Sequence, residues 1–266
     1  MAAIALSAAA CVTPPVETLP TGRLVLAVAA WNMDAGRGDL PRFIADLEAG
    51  RLTTEPAEDI ALLLQEAVAE QSAELKALAR ARNWQLVFEP VGFDGRRTRG
   101  NAIISSRPLV NPRAITLPRE RQPRGAVAAS IEIAGEEVFL VSAHLENRVS
   151  LWRALFSDLA RRRQAEALVD SLPEDGFGVL GGDFNAWLGP NESAWRVLLD
   201  RFDDTPGVMR TATFRDRLVL DHLLFDLPPG WRALTAVAPD RYSSDHHPVV
   251  AAIIEQIPNP KLQTPN

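Results

Sequence analysis

Short apolar runs alternate along the chain with longer segments in which Ala, Arg, Glu and Leu recur at helical spacing. Runs of four to eight apolar residues are typical of buried strands, and longer amphipathic segments are typical of helices. The pattern predicts strands at residues 23–30, 60–64, 84–88, 102–105, 126–133, 138–143, 177–180, 217–220, 223–225 and 248–254, and helices at residues 40–49, 70–82, 151–172 and 192–201. This alternation predicts an α/β protein.

One stretch of the chain fits two structures. Residues 56–82 contain good helix formers throughout, so a single long helix is one alternative. A short strand at residues 60–64 followed by a shorter helix is the other. Periodicity alone does not separate them.

Several apolar runs are followed by one polar residue at the point where the strand should stop. These residues are Asn32, Glu66, His144, Asp183 and Asp221. In α/β sheets, functional groups gather at the carboxyl ends of strands, because the strand fixes the group and the loop leaves it accessible. Five polar residues in this position predict one shared site.

Composition narrows the class of protein without identifying it. The 266 residues are 47% hydrophobic and 23% charged, with a formal net charge of −6. These values exclude a disordered chain, a collagen-like repeat and a disulfide scaffold. They argue weakly against one broad basic face for nucleic acid, although a local basic groove remains compatible with them. No composition break divides residues 23–255, which we expect to form one domain.

The N-terminal segment suggests a possible membrane anchor. Residues 1–12 are apolar and small and contain Cys11, the only cysteine, before a proline-bearing linker. This resembles the end of a bacterial lipoprotein signal, which would place the protein in the periplasm with a lipid on Cys11, but the usual basic n-region is missing. The alternative is a leader with a chance cysteine and a cytoplasmic protein. We expect residues 1–22 to be a leader and linker and residues 256–266 to be a disordered tail.

Two short polar motifs carry candidate chemistry. Asp183 and Asn185 lie two apart after a glycine pair, so in an extended chain their side chains project to the same side. Asp245 precedes His246, and a carboxylate beside an imidazole can orient it and hold its charge. Either motif alone is also typical of an ordinary turn.

Together the motifs resemble the endonuclease/exonuclease/phosphatase family, the DNase I-like superfamily of metal-dependent phosphoesterases. The matching blocks, in the family's order, are WN at 31–32, LQE at 64–66, GNAI at 100–103, SAHL at 142–145, GDFN at 182–185, LDH at 220–222 and SDHHP at 244–248. The resemblance covers about residues 24–254. It implies a four-layer α/β/β/α sandwich of two mixed β-sheets flanked by helices, and it implies that residues 60–65 form a strand.

The resemblance also implies the reaction and its metal site. The family hydrolyses P–O bonds with Mg²⁺ or Mn²⁺, hard cations that prefer oxygen ligands. By similarity, Glu66 is the principal metal ligand and Asn32 supports the site. Asp34 is a further candidate ligand, because some relatives have an acidic residue there, although a surface loop position is the alternative.

The same resemblance assigns roles to three residues near the attacking water. Asp183 matches the residue that orients and deprotonates this water. The side-chain amide of Asn185 is expected to donate to a phosphoryl oxygen in the transition state. Asp221 matches a carboxylate that holds this network or a second metal.

Two histidines complete the predicted catalytic set. His246, oriented by Asp245, is expected to bring positive charge or a proton to the phosphate. His144 is expected to bind the phosphate or assist the leaving group. The family's abasic-site endonucleases usually have a tyrosine at this position, so the histidine disfavours that branch.

Basic residues beside the blocks are candidates for substrate contact. Asn101 lies in a matching block, and Arg99 and Arg97 precede it, so we expect Asn101 and Arg99 to bind substrate. Residues 161–163 are a second basic segment, which a helix would normally expose to solvent.

The predicted function is metal-dependent hydrolysis of a phosphodiester, with nucleic acid as one candidate substrate. The alternative is a lipid or small-molecule phosphodiesterase or phosphatase at the cell envelope, which an anchor at Cys11 would favour. A binding module that kept the fold and lost the chemistry is the third possibility, and the full set of motif residues argues against it. No partner-binding helix stands out, so we expect a monomer without an obligate protein partner.

Overall fold

The computed structural model describes residues 22–93, 95–147, 154–206 and 210–256. The strands are β1 Gly22–Asn32, β2 Ile60–Val68, β3 Gln85–Phe93, β4 Thr98–Ser105, β5 Val110–Thr116, β6 Gly125–Ile133, β7 Glu136–His144, β8 Phe177–Asp183, β9 Asp221–Asp226, β10 Trp231–Val237 and β11 Val249–Gln256. The helices are α1 Leu40–Glu48, α2 Ser72–Ala81, α3 Ala154–Asp170 and α4 Ser193–Arg201. Apart from Gly22 and Gln256, the expected leader and tail lie outside these residues.

The strands form two mixed sheets. The six-stranded sheet has the order β10-β11-β1-β2-β4-β3, with β1 and β2 parallel and the other neighbours antiparallel. The five-stranded sheet has the order β5-β6-β7-β8-β9, with β7 and β8 as its parallel pair.

Three apolar clusters hold the layers together. The largest fills the space between the two sheets, where side chains such as Leu63, Leu140 and Phe225 meet. A second cluster packs α1 and α2 on the outer face of the six-stranded sheet. A third packs α3 and α4 on the outer face of the five-stranded sheet. This is the expected four-layer α/β/β/α sandwich. Among the described residues, no helix has the length and hydropathy needed to cross a membrane.

The sequence predicts the buried strands and the helices that pack on the sheets close to where the structure has them. The stretch at residues 56–82 forms β2 and α2 rather than one helix. The predicted strand at residues 217–220 is wrong, because residues 217 and 218 close a turn bridged from Phe214 to Leu218 and residues 219 and 220 lie in no strand. β5 and β10 were not expected.

The strand pairing brings the predicted site to one edge of the sandwich. His144 at the end of β7 pairs in register with Asp183 at the end of β8, because these strands are parallel. Asp183 in turn faces Asp221, the first residue of the antiparallel β9. Asn32 ends β1 in the opposite sheet. Asp221 therefore reaches the shared edge from the beginning of a strand, not from the end of one.

Candidate active site

A bulge in β2 sets the position of Glu66. Leu64 pairs with Ala102 and Ala67 with Gly100, so two residues of β2, Gln65 and Glu66, face Asn101 alone. Glu66 has a backbone φ of 52°, in the left-handed region that non-glycine residues rarely adopt. Strain of this kind persists only where the surrounding structure enforces it and is concentrated at functional sites.

The residue before Glu66 ties the two sheets together beneath the site. Gln65 is fully buried, and its Nε2 donates to Ser142 Oγ at 3.0 Å across the space between the sheets. The Ser142 hydroxyl donates in return to the carbonyl oxygen of Leu64 at 2.9 Å. These bonds fix the ends of β2 and β7 relative to each other and so fix Glu66 relative to His144.

The turn after β1 and a side chain of β4 contact the carboxylate of Glu66. The backbone N–H of Ala35 donates to Glu66 Oε2 at 3.1 Å, and an Arg99 guanidinium nitrogen lies 2.8 Å from the same oxygen. Asn32 Oδ1 accepts from the N–H of Asp34 at 3.0 Å, while the Asp34 carboxylate pairs with Arg37.

The three predicted metal ligands have side chains whose chemistry suits a hard cation. Glu66, Asn32 and Asp34 offer only oxygen atoms to a metal, which is the chemistry that Mg²⁺ and Mn²⁺ prefer. Both hydrogen bonds that Glu66 accepts fall on Oε2, so Oε1 accepts none from the described residues. The residues present therefore fit such an ion at Glu66.

Asp183 is the centre of a second, deeply buried cluster. Its Oδ2 accepts from Asn32 Nδ2 at 3.0 Å, and it lies 3.5 Å from His144 Nε2 and 3.9 Å from His246 Nε2. Burial, reinforced by the charge of Asp221, raises the pKa of Asp183 to about 7 against the opposing effects of His246 and Asn32. A carboxyl with a pKa near neutrality is suited to take a proton from water.

His246 is held by Asp221. Its Nδ1 lies 2.7 Å from Asp221 Oδ2, a hydrogen-bond distance. Burial of the ring opposes its charge, but the charge and hydrogen bond of Asp221, with the charges of Asp183 and Asp245, raise the pKa of His246 to about 10. The ring is therefore an imidazolium at neutral pH. Ligand atoms of Asp183, Asp221 and His246 also lie within 4.8 Å of one another, but the protonated ring of His246 has no nitrogen lone pair with which to bind a cation.

Asp245 does not orient His246 as expected. The Asp245 carboxylate lies 3.8 Å from His246 Nε2 and accepts bonds from Arg215 at 2.9 and 3.1 Å. The orienting hydrogen bond comes from Asp221 because β9 places this buried carboxylate directly beside the ring. The Phe214 ring packs on the other side of His246, with centroids 4.7 Å apart.

His144 differs from His246 in charge. Burial, together with the positive charges of Arg124 and His246, lowers the pKa of His144 well below its usual value. A neutral His144 and a charged His246 therefore lie on either side of Asp183. The neutral ring can donate a hydrogen bond to a phosphoryl oxygen without adding charge.

Asn185 follows Asp183 in a strained turn. Its φ is 50°, its N–H donates to Asp183 Oδ1 at 3.0 Å, and its Nδ2 donates to the carbonyl oxygen of Leu145 at 3.2 Å. One of the two Nδ2 hydrogens is thus committed to Leu145. The second hydrogen remains for the predicted bond to substrate.

A cavity of about 350 Å³ adjoins the cluster. Glu66, Asn101, Arg99 and His144 line it, which brings the predicted substrate-binding residues beside the predicted metal ligand. Asn101 is buried and its Nδ2 donates to the carbonyl oxygen of Gly125 at 2.7 Å. Arg124, which precedes Gly125, also lines the cavity. Arg124 was not among the predicted site residues, because it lies in a polar loop outside every motif.

The two histidines without an expected role lie outside the cluster. His222 packs against Trp195, with ring centroids 4.5 Å apart, on the outer face of the five-stranded sheet, and burial lowers its pKa to about 4. The His247 ring nitrogens lie 2.8 Å from the carbonyl oxygen of Ala238 and from Asp216.

A sandwich of two mixed sheets between helices, with buried carboxylates and histidines gathered at one edge, defines the DNase I-like class of fold. The sequence profile of the Endonuclease/Exonuclease/phosphatase family matches residues 29–246. The chain therefore belongs to this family. The comparison with curated proteins found no match.

Solved structures similar to the chain share its fold. An endonuclease/exonuclease/phosphatase from Beutenbergia cavernae is 19% identical, with 88% of this chain and 72% of that chain covered and a TM-score of 0.64. The human Nocturnin catalytic domain with bound sulfate is 21% identical, with 87% and 94% covered and a TM-score of 0.65. D. rerio TDP2 with a single-strand DNA product is 18% identical, with 86% and 98% covered and a TM-score of 0.59.

Proposed function

We propose that the protein is a Mg²⁺- or Mn²⁺-dependent hydrolase that cleaves a phosphodiester bond by attack of an activated water. The observation that carries this proposal is the position of Asp183. Its Oδ2 lies within 4 Å of Asn32, His144 and His246, and its pKa is raised to about 7 by burial and Asp221. A base near neutrality surrounded by hydrogen-bond donors is what water activation at a phosphate requires.

Asp183 takes the proton of the attacking water, and the water oxygen forms the new bond to phosphorus as the ester P–O bond breaks. Glu66, with Asn32 and Asp34, would hold the ion. The chemistry that such an ion supplies is polarisation of the phosphoryl oxygen and stabilisation of the leaving oxygen.

The remaining residues stabilise charge on the phosphate. The imidazolium of His246, held by Asp221, brings a fixed positive charge and a proton donor close to Asp183. The neutral ring of His144 and the side-chain amide of Asn185 donate hydrogen bonds to phosphoryl oxygens. Because these donors are buried and fixed before the reaction, they need little reorganisation.

Nucleic acid is the first substrate candidate. Arg99 and Arg124 line the cavity on one side of the site. On the other side a shallow surface beside Asp245 contains Arg215 and Arg217 with the Phe214 ring. Cations and aromatic rings on both sides of the catalytic cluster suit a polyanionic strand. The solved structure of D. rerio TDP2 with a single-strand DNA product supports the same candidate.

Plasmid nicking by the full chain in Mg²⁺ tests this proposal, with His246→Ala as the background control. We expect nicking that the variant loses and that falls steeply as salt rises. Absence of nicking in a preparation that still cleaves an aryl phosphodiester would contradict the nuclease proposal. The lipid or small-molecule substrate, and with it a lipid-anchored envelope protein, would then be favoured.

A further inference from the structure

Half of the cavity beside the catalytic cluster has no part in the mechanism above. Glu66, Asn101 and His144 line its inner side. Its outer side is lined by Val91 and Phe93 of β3 and by Pro123 in the loop before β6. The outer side is apolar, although the inner side is polar. We call the whole cavity the Phe93 pocket.

Phe93 is an exposed aromatic ring at the edge of this pocket. Its exposed fraction is 66%, the highest among the large hydrophobic residues that are exposed in the described part of the chain. The other three, Val110, Leu159 and Leu188, do not line the pocket. An exposed ring costs solvation unless a ligand covers it, and its face is suited to stacking a planar group.

The apolar wall is fixed in place by close packing. A Cβ added to Gly92 would lie 3.0 Å from Pro123 Cβ, so β3 and the loop are in close contact. Two backbone N–H groups of this loop, those of Arg121 and Gln122, donate at 3.1 Å to the buried carboxylate of Glu146. The pocket is therefore a formed feature of the fold.

Arg124 brings to the same pocket a cation that acts at a distance on the carboxylates of Asp183, Glu146 and Glu66. One of its guanidinium nitrogens donates to the side-chain amide oxygen Oε1 of Gln122 at 2.8 Å, and its Nε is buried without a hydrogen-bond partner. Within the described ranges no carboxylate forms an ion pair with it, whereas Arg99 pairs with Glu66. A partly buried guanidinium keeps its charge and gains most from an anion that accepts its donors.

We propose that the Phe93 pocket binds one nucleoside unit of the substrate, with its base stacked on Phe93 and its phosphate bound by Arg124. The inference rests on the proposed function and specifies its substrate. A volume of about 350 Å³ is at the small end of ligand pockets and suits a single ring-bearing group. A lipid chain would require a larger apolar surface than Val91, Phe93 and Pro123 provide.

Two substrates with the same leaving group test the role of Phe93. Thymidine 5′-(p-nitrophenyl phosphate) contains the nucleoside, and methyl p-nitrophenyl phosphate does not. We expect the full chain to prefer the nucleoside ester in kcat/KM, and Phe93→Ala to lower that preference by roughly 5- to 150-fold, the range of base stacking on an aromatic ring. Phe93→Trp should retain it. Val110→Ala, which removes an exposed side chain elsewhere, should leave both rates unchanged.

The role of Arg124 is tested with the same pair of substrates. Arg124→Ala should lower kcat/KM for both esters by roughly 10- to 150-fold, because both carry the phosphate. Arg124→Lys should restore part of the loss. Arg113→Ala, an exposed arginine on β5, is the matched control and should have no effect. A wild-type rate in Arg124→Ala would overturn its assignment.

The outcomes separate this inference from the proposed function. If both esters are hydrolysed and Phe93→Ala leaves the ratio of their kcat/KM values unchanged, the assignment of the Phe93 pocket to a nucleoside is wrong. The proposed phosphoesterase activity is then still supported. If neither is hydrolysed with Mg²⁺ or Mn²⁺, the proposed function fails. Calorimetry with thymidine 5′-monophosphate and inorganic phosphate then still tests the pocket. Equal affinity for the two, or an unchanged affinity in Phe93→Ala, would overturn it.

Discussion

Asp221 Oδ2 lies 2.7 Å from His246 Nδ1, and both groups are buried beside Asp183. This hydrogen bond directs the other ring nitrogen, Nε2, toward Asp183 Oδ2 at 3.9 Å. Asp221 therefore acts as a positioning residue that fixes both the ring and its charge, while His246 and Asp183 face the site where phosphate would bind.

The first prediction concerns the charge of His246. Because Asp221 raises the pKa of His246 to about 10, we expect its ring to stay protonated through pH 8 in nitrogen NMR spectra. The interaction of protonated His246 with Asp221 stabilises the fold fully at pH values below about 6.5, the pKa of this histidine in the unfolded chain. The stabilisation is lost as pH rises through about 10, its pKa in the folded protein. Asp221→Asn should lower the pKa by at least about one unit. A His246 that titrates near 6.5 in the wild type would contradict the assignment.

Asp183→Asn is expected to separate activity from stability. Loss of the proton acceptor should lower turnover by roughly 10²- to 10⁴-fold. The pKa of the Asp183 carboxyl is raised in the folded state, so its charge destabilises the fold increasingly from about pH 4 to about pH 7. The variant should therefore be more stable than the wild type at pH 8 by urea unfolding, and the difference should shrink at pH 4. Wild-type turnover, or lower stability at pH 8, would be inconsistent with this account.

Arg99 and Glu66 form an ion pair at 2.8 Å that would compete with the proposed metal ion for Glu66. Glu66→Gln should weaken Mn²⁺ binding by roughly tenfold or more, measured by calorimetry or electron paramagnetic resonance. Arg99→Ala should strengthen Mn²⁺ binding, because it removes a positive charge from the ligand, and should still weaken substrate binding. Arg113→Ala is the control for loss of an exposed arginine. If Glu66→Gln binds Mn²⁺ like the wild type, Glu66 is not the ligand.

His222 provides a pH test of the fold that is independent of the active site. Burial lowers its pKa to about 4, whereas the unfolded value is about 6.5. Protonation of His222 therefore favours the unfolded chain. The free energy of unfolding should fall by about 3 kcal/mol as pH drops from 6.5 to 4. His222→Leu should remove this part of the pH dependence in urea unfolding. The same acid loss in the variant would show that other groups cause it.

Most of the fold could be predicted from the sequence, because buried strands and amphipathic helices leave strong patterns. The exceptions have physical reasons. β5 and β10 are edge strands with mainly exposed or half-buried residues, so neither has a continuous apolar run. Residues 217–220 include such a run, but it lies in no strand because it begins at the end of the turn from Phe214 to Leu218, in which Arg215 and Asp216 have positive φ.

The position of the motif residues at one edge of the sandwich could be predicted from the sequence, but their hydrogen-bond partners could not. Adjacency in sequence suggested that Asp245 orients His246, whereas strand pairing brings Asp221 to the ring from 25 residues away. The bulge that turns Glu66 leaves no sequence signal, because the strained residue is not glycine.

The positions of charged residues outside the motifs were also hard to predict. Arg161 was expected on a solvated helix face, yet it is 1% exposed and paired with Glu192, which is 2% exposed. Only the packing of α3 against the loop before α4 makes this pair possible. Arg124 reaches the pocket for a similar reason, since its loop is held by Glu146, which follows β7.

The most direct test of the central claim is hydrolysis of bis(p-nitrophenyl) phosphate by the full chain, measured as the release of p-nitrophenol. We predict turnover in Mn²⁺ or Mg²⁺ that EDTA abolishes, that excess metal restores, and that Asp183→Asn lowers at least about 100-fold. Turnover that persists in EDTA or in Asp183→Asn, or no turnover with either metal, would contradict a metal-dependent phosphoesterase built on this cluster.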